Sequence, residues 1–399
     1  MPPPPQTLFG LPTAEPEEVG LSRPALARLS EAMGREVAVG RAAGVSTLVA
    51  RHGRVAHAER FGALRPGGPP MPADAIFRIY SMTKPIVCVA AMTLVEEGRL
   101  LLSDPLAKYL PAFAAMKVGV ERDGALQLVP ANRPITIHDL MRHTSGLTYG
   151  FGGATAVHRL VAEADIVNVS KPAAEQIDRL AALPLLRQPG EAWEYGLSTD
   201  ALGRVLEVVS GKSLGEFVAE RVLRPLDMVD TAFYTPPAKR DRLAEPLSNE
   251  ALKAGRIDLV DCSAPPAFEM AGSGLVSTIG DYARFLAMVA GGGGLDGARV
   301  LGPRTLAYMA SDHLGPEIDR RSPYLIAGHG YGLGFAVRTE AGVAPTTGSV
   351  GEFSWGGVSG AAFWVSPRDA VFAIVMTQAP DHYLYFRQVF RNMVNAAIL

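Results

Sequence analysis

Ser81 and Lys84 form the only Ser-x-x-Lys pair in the chain, in the run Ser81-Met82-Thr83-Lys84. On a helix, residues three apart share a face. Serine is a weak nucleophile at its own pKa and needs a base beside it. A lysine taken out of water loses proton affinity and can serve as that base. The positive end of a helix dipole at Ser81 would favour the chemistry. Taken alone, the pair reads equally as an N-cap serine followed by a surface lysine, since so short a pattern recurs by chance. Against that stands the setting of Lys84, which runs into Pro85-Ile86-Val87-Cys88-Val89-Ala90. An unpaired charge there is costly.

Two further segments could complete such a site. In Pro189-Gly190-Glu191-Ala192-Trp193-Glu194-Tyr195-Gly196-Leu197-Ser198, a turn delivers a tyrosine just before a helix. A phenol can share the serine proton with lysine and pass it to a leaving group; the alternative is a core aromatic with its hydroxyl satisfied. In Trp355-Gly356-Gly357-Val358, the glycines admit a close approach to the backbone. A strand edge there can donate an amide into an oxyanion hole; the alternative is a bulge or tight bend.

In this order, the three segments resemble the serine β-lactamase and penicillin-binding-protein superfamily, with its Ser-x-x-Lys, Tyr-x-Asn and Lys-Thr-Gly elements. The resemblance is closest to the family VIII carboxylesterases, esterases similar to class C β-lactamases. It runs from about Leu26 to the C-terminus and includes His143-Thr144-Ser145-Gly146-Leu147 and Gly274-Leu275-Val276-Ser277-Thr278. The resemblance implies Ser81 as the acylated nucleophile and Lys84 with Tyr195 as the proton-handling pair. It implies the Ser81 and Val358 amides as the oxyanion hole, and Trp355, Gly356, Gly357 and Leu197 as substrate-binding positions. Leu197 stands where the class C enzymes have asparagine, and Trp355 where they have the lysine of Lys-Thr-Gly. Both differences remove polar groups that would hold a β-lactam. The expectation is a carboxylesterase for short-chain acyl esters, with no cofactor and no metal. The alternatives are a β-lactamase, D-alanyl peptidase or acyltransferase of the same superfamily, or a non-catalytic binding module.

The elements that must position these residues can be read from hydrophobic periodicity and turn signals. Leu21 to about Arg41 suits a helix capped by Ser22. Val45–Arg51 and Arg54–Phe61 flank His52-Gly53 as a β-hairpin. Ser81–Glu97 reads as a helix buried on nearly all sides. Shorter helices follow at Thr136–His143, Asp200–Val209 and Leu214–Val222, in a middle region of mostly helix and loop. Strand signals return at Tyr331–Arg338, Gly360–Val365 and Val371–Thr377, and Tyr385–Leu399 suits a closing helix. The predicted class is α+β: a central antiparallel sheet built from both chain ends, flanked by helices. The expected organisation is a poorly ordered lead over 1–20 and a hydrolase domain over 21–399, with 21–100 and 227–399 as its α/β part and 101–226 as its helical part.

Other features carry less. Gly357-Val358-Ser359-Gly360-Ala361 misses the Gly-x-Ser-x-Gly pattern at its last position and lacks a strand–turn–helix context, which argues against Ser359 as nucleophile. His138 and His143 lack the one-face spacing of paired metal ligands and read as cap or loop hydrogen bonders. Gly291–Gly294 has no phosphate-loop lysine. The 399 residues carry a net charge of -2, with no basic stripe for nucleic acid. Cys88 and Cys262 show no metal spacing, and Cys88 reads as a buried hydrophobe. The lead Met1-Pro2-Pro3-Pro4-Pro5-Gln6 has no secretory pattern, and no apolar stretch spans a bilayer, so a cytoplasmic protein that does not bind membranes is expected. Its expected partner is a small-molecule ester.

Overall fold

The computed structural model describes residues 6–247, 250 and 259–399. Both ends of the chain build one antiparallel sheet. Its strands are β1 (Gly44–Arg51), β2 (Arg54–Gly62), β3 (His329–Tyr331), β4 (Ala336–Arg338), β5 (Phe353–Gly356), β6 (Gly360–Ser366) and β7 (Val371–Gln378), in spatial order β3-β4-β5-β6-β7-β1-β2. The junction of the two ends is the β7–β1 ladder, which pairs Val371 with Arg51 and Thr377 with Val45.

Period-two alternation sorts the side chains of this sheet. Val371, Ala373 and Val375 face a core made with α1 (Arg23–Ala38) and the C-terminal helix Tyr383–Asn395, through Leu29, Met33, Phe386 and Phe390. Phe372, Ile374 and Met376 face the larger core, which holds α2 (Thr83–Glu96). Every residue of α2 from Thr83 to Leu94 is buried, as the apolar run requires. Ser22 caps α1 by accepting from the Ala25 amide.

Several boundaries differ from the sequence reading. The Tyr331–Arg338 segment is two short strands joined by a turn. The middle region, expected to be mostly helix and loop, also contains a β-hairpin, Lys117–Arg122 with Ala125–Pro130. Its first strand, Lys117-Val118-Gly119-Val120-Glu121-Arg122, offers only two β-branched residues around a glycine, too short an apolar alternation to mark a strand. Within the lead, Met1–Pro5 lie outside the described residues, but Thr7–Leu8 pairs with Leu11–Pro12, and Leu11 and Val19 are buried. From Gln6 onward the lead is therefore part of the packed molecule, not the poorly ordered segment expected. Among the described residues, no helix is long and apolar enough to cross a membrane. Cys88 and Cys262 are both buried and unpaired.

Candidate active site

Ser81 does not begin the long helix. It lies in a single 3-10 turn, Tyr80–Met82, between strand Ile76–Arg78 and α2. Tyr80 has φ of 46°, a left-handed conformation that a bulky residue adopts only when its surroundings enforce it. Three bonds enforce it here. The Ile79 amide donates to Leu275 O at 3.1 Å, the Leu275 amide to Thr83 Oγ1 at 3.1 Å, and Tyr282 Oη to Met82 O at 3.0 Å. The strained turn presents Ser81 at the start of α2, one turn before Lys84.

The Ser81 Oγ accepts from Tyr195 Oη at 2.8 Å and from Lys84 Nζ at 3.3 Å. Lys84 is fully buried and also donates to Tyr149 Oη at 3.1 Å and to Gly272 O at 2.8 Å. Three acceptors around one nitrogen suit an ammonium, which has three protons to give. Burial alone would depress its proton affinity, as the sequence reading supposed. The phenol groups of Tyr149 and Tyr195, with Asp200, outweigh burial, and the net shift of Lys84 is upward. The sequence reading counted burial alone; with the neighbouring oxygens included, the net shift of Lys84 runs opposite to the direction that burial sets.

Tyr195 is clamped by rings. Trp193 stacks on it at 5.7 Å with planes 12° apart, while His143 lies at 4.9 Å and Trp355 at 5.3 Å. His143 is thus a core ring beside Tyr195, and its buried Nδ1 has no partner among the described residues, contrary to the cap or loop role expected for it. His138 does bond, to His313 Nδ1 at 2.9 Å. No group of three His, Cys, Asp or Glu among the described residues could hold a metal.

Strand β5 carries Trp355 and Gly356 to the same place. A Cβ on Gly357 would lie 2.3 Å from Ile79 O, so only glycine lets the strand end pass against the Ser81 turn. Arg387 packs against Gly356 and donates to Gly357 O, fixing that end. Neither the Ser81 amide nor the Val358 amide donates to a protein group among the described residues. Ser359 is buried and its Oγ donates to Arg78 O at 3.1 Å, a structural bond. Leu197 packs in the core at the start of the helix Ser198–Ser210 and does not line the cleft described next.

A cleft of about 660 Å³ opens onto Tyr195, lined by the Lys117–Pro130 hairpin, Phe151, Glu194 and Tyr324. Ser81 does not line the cleft; it is joined to it through Tyr195, whose hydroxyl donates to the Ser81 Oγ.

Tyr149, Asp200 and Gly272 were not read from the sequence. Asp200 is buried and accepts from the Gly272 amide at 2.9 Å, while the Gly272 carbonyl receives Lys84. Burial holds the Asp200 carboxyl above its ordinary range, against the pull of Lys84. Tyr149 stands two residues after His143–Leu147, the one local hint; its contact with Lys84 is purely tertiary.

Known proteins match this chain over most of its length. A family model described as beta-lactamase matches residues 29–397. Protein Rv1367c of Mycobacterium tuberculosis is 36% identical over 325 residues, 79% of this chain and 80% of its own length. Esterase EstB of Burkholderia gladioli is 32% identical over 371 residues, 88% of this chain and 90% of its own length. Among solved structures, "EstCE1, a hydrolase with promiscuous acyltransferase activity" superposes with a TM-score of 0.76 at 27% identity, over 93% of this chain and 98% of that one. The expected fold, a helix-flanked antiparallel sheet from both chain ends, is the one found. On the span of the family match and the identity to EstB, the chain belongs to the beta-lactamase family.

Proposed function

We propose that the protein is a carboxylesterase of the family VIII kind, hydrolysing short-chain acyl esters through an acyl-enzyme on Ser81. One observation carries the reading: the Ser81 Oγ sits between the Tyr195 hydroxyl at 2.8 Å and the Lys84 amine at 3.3 Å. Nucleophile and base within hydrogen-bond reach are what acyl transfer needs.

Lys84 and Tyr195 act as one titrating unit, and the unit with one proton removed is the base. As Ser81 attacks the ester carbonyl, its proton passes to this pair. The oxyanion is held by the Ser81 and Val358 amides, each worth about 3 kcal/mol when well placed. Tyr195 then protonates the departing alkoxide. Water enters, gives its proton to the same pair, and releases the acid. Lys84 keeps its charge close to the phenol through the cycle, 4.6 Å from the ring centroid.

The choice of ester over β-lactam rests on Trp355 and Leu197, which put an indole and a core side chain where a lysine and an asparagine would grip a lactam. EstB is itself described as an esterase. A second reading, acyl transfer to an alcohol instead of water, draws on the description of EstCE1. The unpaired Cys88 and Cys262 favour a reducing compartment, and the cytoplasm is the proposed one.

Hydrolysis of p-nitrophenyl acetate, butyrate and octanoate, run beside nitrocefin, tests the assignment. It expects the short esters to turn over fastest and Ser81→Ala to abolish all three activities. Efficient nitrocefin turnover with inert esters would replace the esterase reading by the β-lactamase one.

A further inference from the structure

The cleft beyond Tyr195 is far larger than a short acyl chain needs. Its volume of about 660 Å³ falls among sites that enclose whole drug-sized ligands, about 300–1,000 Å³. Trp355 and the strand end at Gly357 do not line it. In the ester hydrolysis proposed above, on which this inference rests, Tyr195 protonates the leaving oxygen. The group attached to that oxygen therefore lies on the Tyr195 side, and the cleft is where it extends.

The walls join aromatic faces to polar and charged side chains, among them Arg122, Arg187, Glu191 and Arg321. Phe151 is 61% exposed and lies flat on Tyr149, ring centroids 4.8 Å apart and planes 12° apart. Tyr324 lies 5.5 Å from the Tyr195 ring, and its hydroxyl packs so close to Gly152 that a Cβ there would be 2.3 Å away. These aromatic faces offer stacking to a flat or cyclic group. Glu194 lines the same cleft. One of its oxygens accepts from Thr148 Oγ1 at 2.7 Å, and the other has no protein donor among the described residues. Burial raises this carboxyl above its ordinary range. A half-buried acceptor with spare capacity at the edge of a reaction site is suited to a substrate hydroxyl.

We propose that the cleft binds the alcohol half of the substrate, and that this alcohol is cyclic, bulky and further hydroxylated, its ring against Phe151 and Tyr324 and a hydroxyl donating to Glu194. The substrate is then a short acyl ester of such an alcohol. Hydrolysis breaks the acyl–oxygen bond; the alcohol leaves with the proton from Tyr195, and water supplies the hydroxyl of the released acid.

Two acetates of primary alcohols test this: n-butyl acetate and a phenyl glucoside acetylated at its primary hydroxyl. The readout is the ratio of their kcat/KM values. The wild type should prefer the glucoside ester by at least about tenfold. Phe151→Ala and Glu194→Gln should each lower that ratio by about tenfold. Turnover of n-butyl acetate with no preference for the glucoside ester, or a ratio that neither variant moves, overturns the alcohol cleft and leaves the esterase standing. Turnover of neither acetate overturns both.

Discussion

Tyr195 donates to the Ser81 Oγ at 2.8 Å while its ring stacks on Trp193 at 5.7 Å, so one residue joins the serine to a rigid aromatic block. Tyr195→Phe removes the hydroxyl and keeps the stack. Ester hydrolysis should fall by about 10²–10⁴ in kcat, the usual worth of a positioned proton carrier. The thermal midpoint should stay within about 2 °C of the wild type. Steady-state kinetics and a melting curve on the same preparation check both.

Lys84 feeds three acceptors from a single buried nitrogen. A guanidinium has planar, divergent donors and cannot reproduce that arrangement in a closed space. Lys84→Arg is therefore expected to be as inactive as Lys84→Ala, each losing about 10³ in kcat. An Arg variant with activity near the wild type would show that charge alone suffices. Asp200→Ala should be milder, because Asp200 makes no hydrogen bond to Lys84 and acts on it through Gly272 and through its nearby charge.

Gly357→Ala puts a Cβ 2.3 Å from Ile79 O, and backbone on both sides leaves little room to give. The strand end must shift away from the Ser81 turn, taking the Val358 amide with it. Loss of one oxyanion donor predicts a fall of about 10²–10³ in kcat with KM little changed.

Two buried carboxyls give opposite pH signatures. Asp139, 0% exposed, accepts from Arg133, Arg142, Thr144 and the Thr136 amide, and these bonds outweigh burial to hold it well below the usual carboxylate range. Its contribution is fully present above its unfolded-state pKa of about 4 and is lost as pH falls through the depressed native value. Asp139→Ala leaves two arginines without their acid and should cost about 3–5 kcal/mol in urea denaturation at pH 7. Asp281 runs the other way: burial raises it to about 6, despite the hydroxyl of Thr231. It favours the fold while protonated, and that stability is lost as pH rises from about 4 through about 6. The stability difference between Asp281→Asn and the wild type should therefore grow in favour of the variant over that interval.

The sequence announces the parts of this site that are local. Ser81 and Lys84 are one turn apart, and Val358 follows a Gly-Gly pair that only a close backbone approach demands. The sheet strands were legible where β-branched residues alternate, as in Val45–Arg51. The hairpin Lys117–Pro130, mostly exposed and with only Val118 and Val120 alternating in its first strand, was not. Tyr149, Asp200 and Gly272 gave no signal because their relation to Lys84 exists only after distant segments pack: Gly272 is 188 residues from it. The direction of the Lys84 shift was hidden for the same reason. Burial is visible in an apolar run, but the phenols and the carboxyl that reverse its effect are not.

The central claim is that Ser81 is the nucleophile. Treatment of the intact protein with an alkyl fluorophosphonate, followed by peptide mapping in a mass spectrometer, tests it directly. The account predicts one adduct, on the peptide containing Ser81, absent from Ser81→Ala together with all esterase activity. An adduct on Ser359, or a fully active Ser81→Ala enzyme, would contradict it.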